Sequence, residues 1–112
     1  MQFTWHEPKR QTTLKRRGLD FADAELVFAG PTFTFEDDRE DYGEQRWVTL
    51  GLLRGKVVVI VHTETEDEIH VISIREADKD EQLLTLLQPL TNATNTPRLP
   101  RQTWIARRSA SV

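Results

Sequence analysis

Residues 57–76 read VVVIVHTETEDEIHVISIRE, in which two runs of β-branched residues flank a short acidic segment. This pattern predicts an antiparallel hairpin with a two-residue turn at Glu66-Asp67. The turn sets the register of the two strands, because each residue before it must face one residue after it. The predicted pairs are Thr63 with His70, Val61 with Ile72, and Val59 with Ile74.

A second turn, at Arg54-Gly55, joins this hairpin to a preceding strand over residues 46–53. Side chains alternate across a sheet, so the two turns together define two faces. An apolar face is predicted to collect Val48, Leu50, Leu52, Val57, Val59, Val61, Ile72 and Ile74. A mixed face is predicted to collect Trp47, Thr49, Gly51, Val58, Ile60, His62, Glu64, Val71, Ser73 and Arg75.

The mixed face carries the functional prediction. A face exposed only to solvent rarely keeps Trp47, Ile60 and Val71, whereas a core layer disfavours charged side chains. The combination indicates a binding or catalytic surface, with Trp47 directly beside His62. The alternative is that the C-terminal tail or a partner covers the apolar part while the charges lie at the rim.

The rest of the chain supplies helices and a further strand or two. A short strand is predicted at 3–5, a basic helix at 8–18, a second helix after an N-cap at Asp20, an edge strand at 32–35, and a third helix at 78–87. The fold class is therefore α+β, an antiparallel sheet with helices packed on its apolar face. Residues 1–88 form one predicted domain, and residues 89–112 form a basic, proline-containing tail with Trp104 as an aromatic anchor.

Charge is segregated along the chain although the net charge is only −3. Residues 1–18 hold five Lys or Arg against one acid, residues 19–45 hold nine acids against one Arg, and residues 89–112 hold four Arg and no acid. Basic ends and an acidic middle favour contact with a polyanion at one surface and with a basic partner at another. A well-solvated surface is the other interpretation.

Composition excludes several classes of site and location. The chain has no cysteine, which rules out disulfides and thiolate metal sites. The acidic segment EDDREDYGEQ (36–45) lacks the ligand spacing of an EF-hand, so we expect no metal and no cofactor. That segment is instead a candidate contact for a basic partner. The apolar runs are too short for a membrane span and the N-terminus lacks a signal peptide, so we expect a cytoplasmic protein.

Several segments in collinear order resemble the BrnT family, bacterial ribonuclease toxins of type II toxin–antitoxin pairs. They are Phe3, Trp5 and Lys9, then GLDFADAELVF (18–28), YGEQRW (42–47), Gly51, VIVHTE (59–64) and IHVISIREA (69–77). The resemblance implies a RelE-like α+β fold and an endoribonuclease that cleaves mRNA and inhibits translation. It also implies a cognate antitoxin whose ribbon-helix-helix domain binds operator DNA.

Metal-independent RNA cleavage needs a base, an acid and cationic groups for the phosphorane. His62 and Glu64 are the predicted acid–base pair, and Arg75 is the predicted phosphate clamp. The predicted RNA-binding residues are Lys9, Arg16, Arg17, Arg46, Trp47 and Ser73, with Trp47 as a base-stacking surface. Each has a structural alternative: His62 as a hydrogen-bonded strand residue, and Glu64 and Arg75 as partners of neighbouring charges. We expect His6 and His70 to be structural.

Several residues depart from the family pattern. Arg16-Arg17 stands where the family usually has Lys-His or a similar pair, His70 where it commonly has arginine, and Glu76 where it has a second basic residue. Glu76, His70 and the acidic total charge favour a competing function, a toxin-fold binding module that holds an antitoxin-like partner with weakened cleavage, whereas the retained His62-Thr-Glu64 and Ser73-x-Arg75 elements favour the enzyme. A stand-alone structural domain, with the tail docked on the mixed face, is a third possibility.

Overall fold

A computed structural model describes residues 1–37, 41, 43–87, 91–92 and 98–99. Parts of the acidic segment 36–45 and most of the tail, including Trp104, lie outside the described residues. The predicted partner contact of that segment and the predicted anchoring by Trp104 therefore stay predictions. Within the described part of the chain, no helix is long and apolar enough to cross a membrane.

The helices and strands follow the predicted order, and the three central strands have the predicted bounds. The elements are β1 (Gln2–Trp5), α1 (Glu7–Arg17), a 3-10 turn (Phe21–Asp23), α2 (Ala24–Ala29), β2 (Pro31–Asp37), β3 (Arg46–Leu53), β4 (Lys56–Glu64), β5 (Glu68–Glu76), α3 (Lys79–Leu87), β6 (Thr91–Asn92) and β7 (Arg98–Leu99).

One sheet contains all of these strands, in the order β1-β5-β4-β3-β2-β6, with β7 also on β2. The strands β2 to β5 pair antiparallel with their neighbours. In contrast, β1 pairs parallel with β5 and β7 pairs parallel with β2. The sheet is therefore mixed rather than wholly antiparallel as predicted.

Local sequence signals begin and end the helices. Gly18 follows α1 with φ 68°, the left-handed conformation that glycine adopts at low cost, and its N–H donates to the Leu14 carbonyl. Asp20 accepts a hydrogen bond from the Ala22 N–H at the start of the 3-10 turn. Asp78 and Glu81 form a reciprocal capping box on α3, in which each side chain accepts from the other's backbone N–H.

The Arg54-Gly55 turn confirms the predicted pairing of β3 with β4. Both residues have positive φ, 50° and 83°, as a type I′ hairpin turn requires. Trp47 pairs with His62, and the register continues through Leu50 with Val59. The predicted position of Trp47 beside His62 is confirmed.

The pairing of β4 with β5 is correct near the turn and wrong beyond it. Thr63 faces His70 as predicted, and His62 faces Val71. The register then shifts, so that Val61 faces Ser73 rather than Ile72, and Val59 faces Arg75 rather than Ile74. A β-bulge is the cause: β5 has one extra residue, Ile72, between the two registers. Beyond it, each β5 side chain lies on the face opposite to the predicted one.

The prediction about which face the helices cover is wrong for α2 and holds only for α3. Side chains of α2 and the 3-10 turn pack on the face that carries His62, which we call the His62 face. Its core contains Phe21, Ala24, Val27, Phe28, Leu53, Val58, Ile60, Ile69, Val71 and Ile74. Gly51 allows this contact, because a Cβ at that position would lie 2.5 Å from Val27 Cγ1.

The opposite face, which we call the Val59 face, has a second apolar cluster. It contains Phe33, Phe35, Val48, Leu50, Val59 and Ala77, with Val57 and Val61 partly buried against it. The helix α3 is joined to this face, because Glu81 binds Arg75 and Arg75 lies opposite Val59. Helical elements are therefore attached to both faces of the sheet rather than to one.

Candidate functional site

His62 lies inside the protein, with its side chain fully buried at 0% exposure. The edge of the imidazole meets the ring of Phe28, with 5.0 Å between centroids and planes at 88°. His62 Nε2 is 2.7 Å from Thr49 Oγ1, and Thr49 Oγ1 is 2.8 Å from Thr34 Oγ1. These contacts form a hydrogen-bonded chain across β4, β3 and β2. The imidazole is therefore enclosed by the protein and hydrogen-bonded to a neighbouring strand.

Glu64 follows two residues later on the same face and is more accessible. Its side chain is 22% exposed, and its Oε1 lies 3.5 Å from His62 Nδ1. Trp47 is half-buried on β3 directly across from His62. The strands thus bring together three residues of the predicted site, with Glu64 as the accessible acid–base group among them.

Arg75 lies on the Val59 face, away from His62, because of the bulge at Ile72. Its guanidinium makes two short hydrogen bonds with Glu81, 2.7 Å from Nη1 to Oε1 and 2.6 Å from Nη2 to Oε2. The Arg75 side chain is 37% exposed, whereas Glu81 is only 2% exposed. The structural alternative considered for Arg75, pairing with a neighbouring charge, therefore describes its contacts.

Ser73 also lies on the Val59 face, where it is half-buried opposite Val61. The predicted constellation of His62, Glu64, Ser73 and Arg75 on one face is therefore not formed. The sheet separates these residues into two pairs, His62 with Glu64 on the His62 face and Ser73 with Arg75 on the Val59 face.

Two of the predicted RNA-binding cations, Arg17 and Arg46, act electrostatically on a third, Lys9. Burial lowers the pKa of Lys9, and the nearby positive charges of Arg46 and Arg17 lower that pKa further. Arg17 donates through Nη1 to the Ile74 carbonyl at 3.0 Å, where β5 continues beyond the end of β1. Arg16 is exposed on the last turn of the same helix, α1.

Arg46 begins β3 and is 27% exposed, with its Nε donating to Glu44 Oε2 at 3.1 Å. Together, Lys9, Arg17 and Arg46 form a group that we call the Lys9 cluster. Like charges held in proximity repel one another, and an incoming anion relieves that repulsion. The chemistry that this cluster favours is the binding of phosphate or another anion.

Sequence reasoning missed two residues that support the site. Glu81 lies within the predicted third helix, but its pairing with Arg75 depends on how α3 returns to the sheet. Thr49 was placed on the correct face, yet its hydrogen bond to His62 was not foreseen. Polar side chains at diagonal positions on neighbouring strands are the signal that could have identified it, since Thr49 lies two residues beyond Trp47, the partner of His62.

Among the residues that the structure describes, no group of three or more His, Asp or Glu side chains is arranged to hold a metal ion.

Comparison with known proteins gives one family match. The profile described as "Ribonuclease toxin, BrnT, of type II toxin-antitoxin system" matches residues 5–81. The comparison with curated proteins found no match. The matched range includes α1, the four long strands β2 to β5, and the Arg75–Glu81 pair. The chain belongs to the BrnT family of ribonuclease toxins of type II toxin–antitoxin systems.

Proposed function

We propose that this protein is an endoribonuclease toxin that cleaves mRNA without a metal ion and thereby inhibits translation. The observation that carries the proposal is the family match over residues 5–81, which describes a ribonuclease toxin. The Lys9 cluster supports it, because the charges of Arg46 and Arg17 lie near enough to act on Lys9. RNA supplies the phosphate that such a cluster favours.

The proposed reaction begins with phosphate binding at the Lys9 cluster. Lys9, Arg17 and Arg46 stabilise the charge that develops on the phosphorane, and Arg16 contributes to backbone binding from the adjacent helix turn. Trp47 offers a ring for base stacking, worth about 1–3 kcal/mol in single-stranded complexes.

Glu64 is the accessible acid–base group next to Trp47 on the His62 face. His62 acts through Glu64, because its fully buried ring cannot itself meet the RNA. Arg75 and Ser73 contribute to the Val59 face, and Arg75 secures α3 through Glu81. This assignment keeps the predicted residues but gives Arg75 a structural rather than a catalytic role.

Membership of the family implies a cognate antitoxin as partner. We propose that this antitoxin has a ribbon-helix-helix domain and that operator DNA is bound only through it. The complex is proposed to act in the cytoplasm, where its RNA substrate is translated.

The test is induction of the chain in bacteria with and without its neighbouring gene, followed by growth and mRNA integrity. The purified protein is assayed in parallel on single-stranded RNA with a chelator present. Lys9→Met is the diagnostic variant, and Lys15→Met, on the same helix and exposed, is its matched control. We expect cleavage by the parent and by Lys15→Met, and a large loss in Lys9→Met.

A second candidate function is the binding module with weakened cleavage. The engagement of Arg75 by Glu81 and the burial of His62 favour it, because both withdraw predicted catalytic groups from substrate. A soluble parent protein that captures the neighbouring gene product but cleaves no RNA would support this candidate and contradict the first.

A further inference from the structure

A three-residue hydrogen-bonded relay lies on the edge formed by β1 and β5, outside the residues assigned above. Thr4 Oγ1 donates to Glu68 Oε2 at 2.9 Å. The same oxygen is 2.8 Å from His70 Nδ1. Thr4 and His70 are partners in the parallel ladder, so the contact is built into the sheet. All three residues are half-buried rather than enclosed.

The relay determines the tautomer of His70. A threonine hydroxyl has one hydrogen, and a carboxylate can only accept, so that hydrogen is directed to Glu68. Towards His70 the hydroxyl oxygen must then accept, which places the ring hydrogen on Nδ1. In the neutral imidazole, Nε2 is left with the lone pair. Glu68 and Thr4 thus orient His70 as a base.

His70 lies at the same end of the sheet as the start of β3. Thr63 faces His70 across β4 and β5. Continuing the pairing of Trp47 with His62 by one residue places Arg46 beside Thr63. Adjacent strands are about 4.8 Å apart, so Arg46 is about 10 Å of backbone from His70. An extended arginine side chain can cover much of that distance towards a shared phosphate.

We propose that His70 is a general base of the RNA cleavage reaction, with Thr4 and Glu68 as its positioning residues. The inference rests on the proposed ribonuclease function and adds a group that the family match does not assign. By strand alternation His70 lies on the Val59 face with Arg46, opposite to Trp47 and Glu64, and it takes the base role there in place of Glu64. It also replaces the structural role expected for His70 from sequence.

In the proposed step, His70 Nε2 takes the proton of a ribose 2′-hydroxyl. The 2′-oxygen forms a bond to phosphorus, and the bond from phosphorus to the 5′-oxygen breaks. The leaving 5′-oxygen receives a proton through solvent, which in turn recovers the proton from the imidazolium. The products are a 2′,3′-cyclic phosphate and a 5′-hydroxyl, and no oxidant or further reactant is needed.

The experiment compares five proteins on one single-stranded RNA between pH 5 and 9: the parent, His70→Gln, Thr4→Val, Thr4→Ser and His6→Gln. His6 is an exposed histidine that makes no side-chain cap bond with α1, and it serves as the matched control. Unfolding midpoints are measured for every variant. Nitrogen-detected NMR of the parent reports the His70 tautomer independently of activity.

We expect His70→Gln to lose about 100-fold or more in kcat at an unchanged unfolding midpoint. Thr4→Val should lower kcat with little change in KM, Thr4→Ser should restore it, and His6→Gln should match the parent. NMR should find hydrogen on Nδ1 in the neutral ring.

Two results would overturn the role of His70 while leaving the ribonuclease function in place. One is cleavage by His70→Gln within about threefold of the parent, and the other is a neutral ring with hydrogen on Nε2. An inactive parent protein would instead contradict the proposed function, and the role of His70 would fail with it.

Discussion

The Arg75–Glu81 ion pair provides the sharpest test of the structure, because sequence reasoning assigned Arg75 to catalysis. Replacing Arg75 with Met keeps the aliphatic stem but leaves the Glu81 carboxylate, 2% exposed, without its two guanidinium bonds. Removing one partner of a buried pair costs about 3–5 kcal/mol. Arg75 is itself 37% exposed, so water can partly replace it. We therefore expect a loss of roughly 2–4 kcal/mol in the free energy of unfolding.

A double-mutant cycle separates the pair from its surroundings. Glu81→Gln retains an acceptor for the Asp78 N–H but removes the buried charge. The double variant Arg75→Met/Glu81→Gln should therefore be more stable than the sum of the single losses predicts, by about 1–3 kcal/mol. The assay is equilibrium urea unfolding at constant m-value.

The matched control is Arg54→Met, which removes an arginine from an exposed pair. Arg54 is 67% exposed and donates to Asp23 at 3.0 Å, so water can replace its partner and its loss should cost much less stability than the loss of Arg75. Equal small losses of unfolding free energy in Arg75→Met and Arg54→Met, with no coupling between Arg75→Met and Glu81→Gln, would refute the structural role of the Arg75–Glu81 pair. Cleavage is assayed well below the unfolding midpoint of each variant. A folded Arg75→Met that cleaves RNA normally supports the structural role of Arg75, and a folded but inactive Arg75→Met supports its catalytic role.

Three further outcomes follow from specific contacts. Gly51→Ala should lose about 1–3 kcal/mol in the free energy of unfolding, because its Cβ would press on Val27 Cγ1. Adding Val27→Ala to that variant should destabilise it less than the same change destabilises the parent, as measured by urea unfolding. RNA binding, followed by fluorescence anisotropy, should weaken as pH rises through the lowered pKa of Lys9, and Lys9→Met should not show this dependence. The hydrogen bond from Arg10 lowers the pKa of Asp20 from its ordinary value of 3.8. The stabilisation from this pair is therefore complete above that value and lost as pH falls through the folded-state pKa of Asp20. The parent should be more thermally stable than Arg10→Met at neutral pH, and the two proteins should have the same stability in acid.

The strand assignment could be made from sequence because its signals are local. Turn residues at Arg54-Gly55 and Glu66-Asp67 bound the strands, and the β-branched runs between them leave little choice of conformation. The helix caps at Asp20 and Asp78 are equally local, since each acts on backbone N–H groups within three residues.

The candidate site was only partly predictable. Trp47, His62 and Glu64 meet as expected because the β3–β4 register depends on one short turn. Arg75 lies on the face opposite to the predicted one because of the bulge at Ile72. Val71, Ile72 and Ile74 are all apolar and β-branched, so nothing in their alternation marks Ile72 as the extra residue. The relay of Thr4, Glu68 and His70 was out of reach for a different reason: it depends on a parallel pairing between β1 and β5, which are far apart in the chain.

The sequence by itself determined the elements, their caps and the alternation of side chains along each strand, because these depend on neighbours a few residues apart. Tertiary structure decided which face the helices cover, where the β5 register shifts, and which charges become partners. Those choices depend on close packing between distant segments, as when Gly51 makes room for Val27 and α3 brings Glu81 to Arg75. The same dependence places the Lys9 cluster on α1 and β3, two elements whose charges meet only in the folded chain.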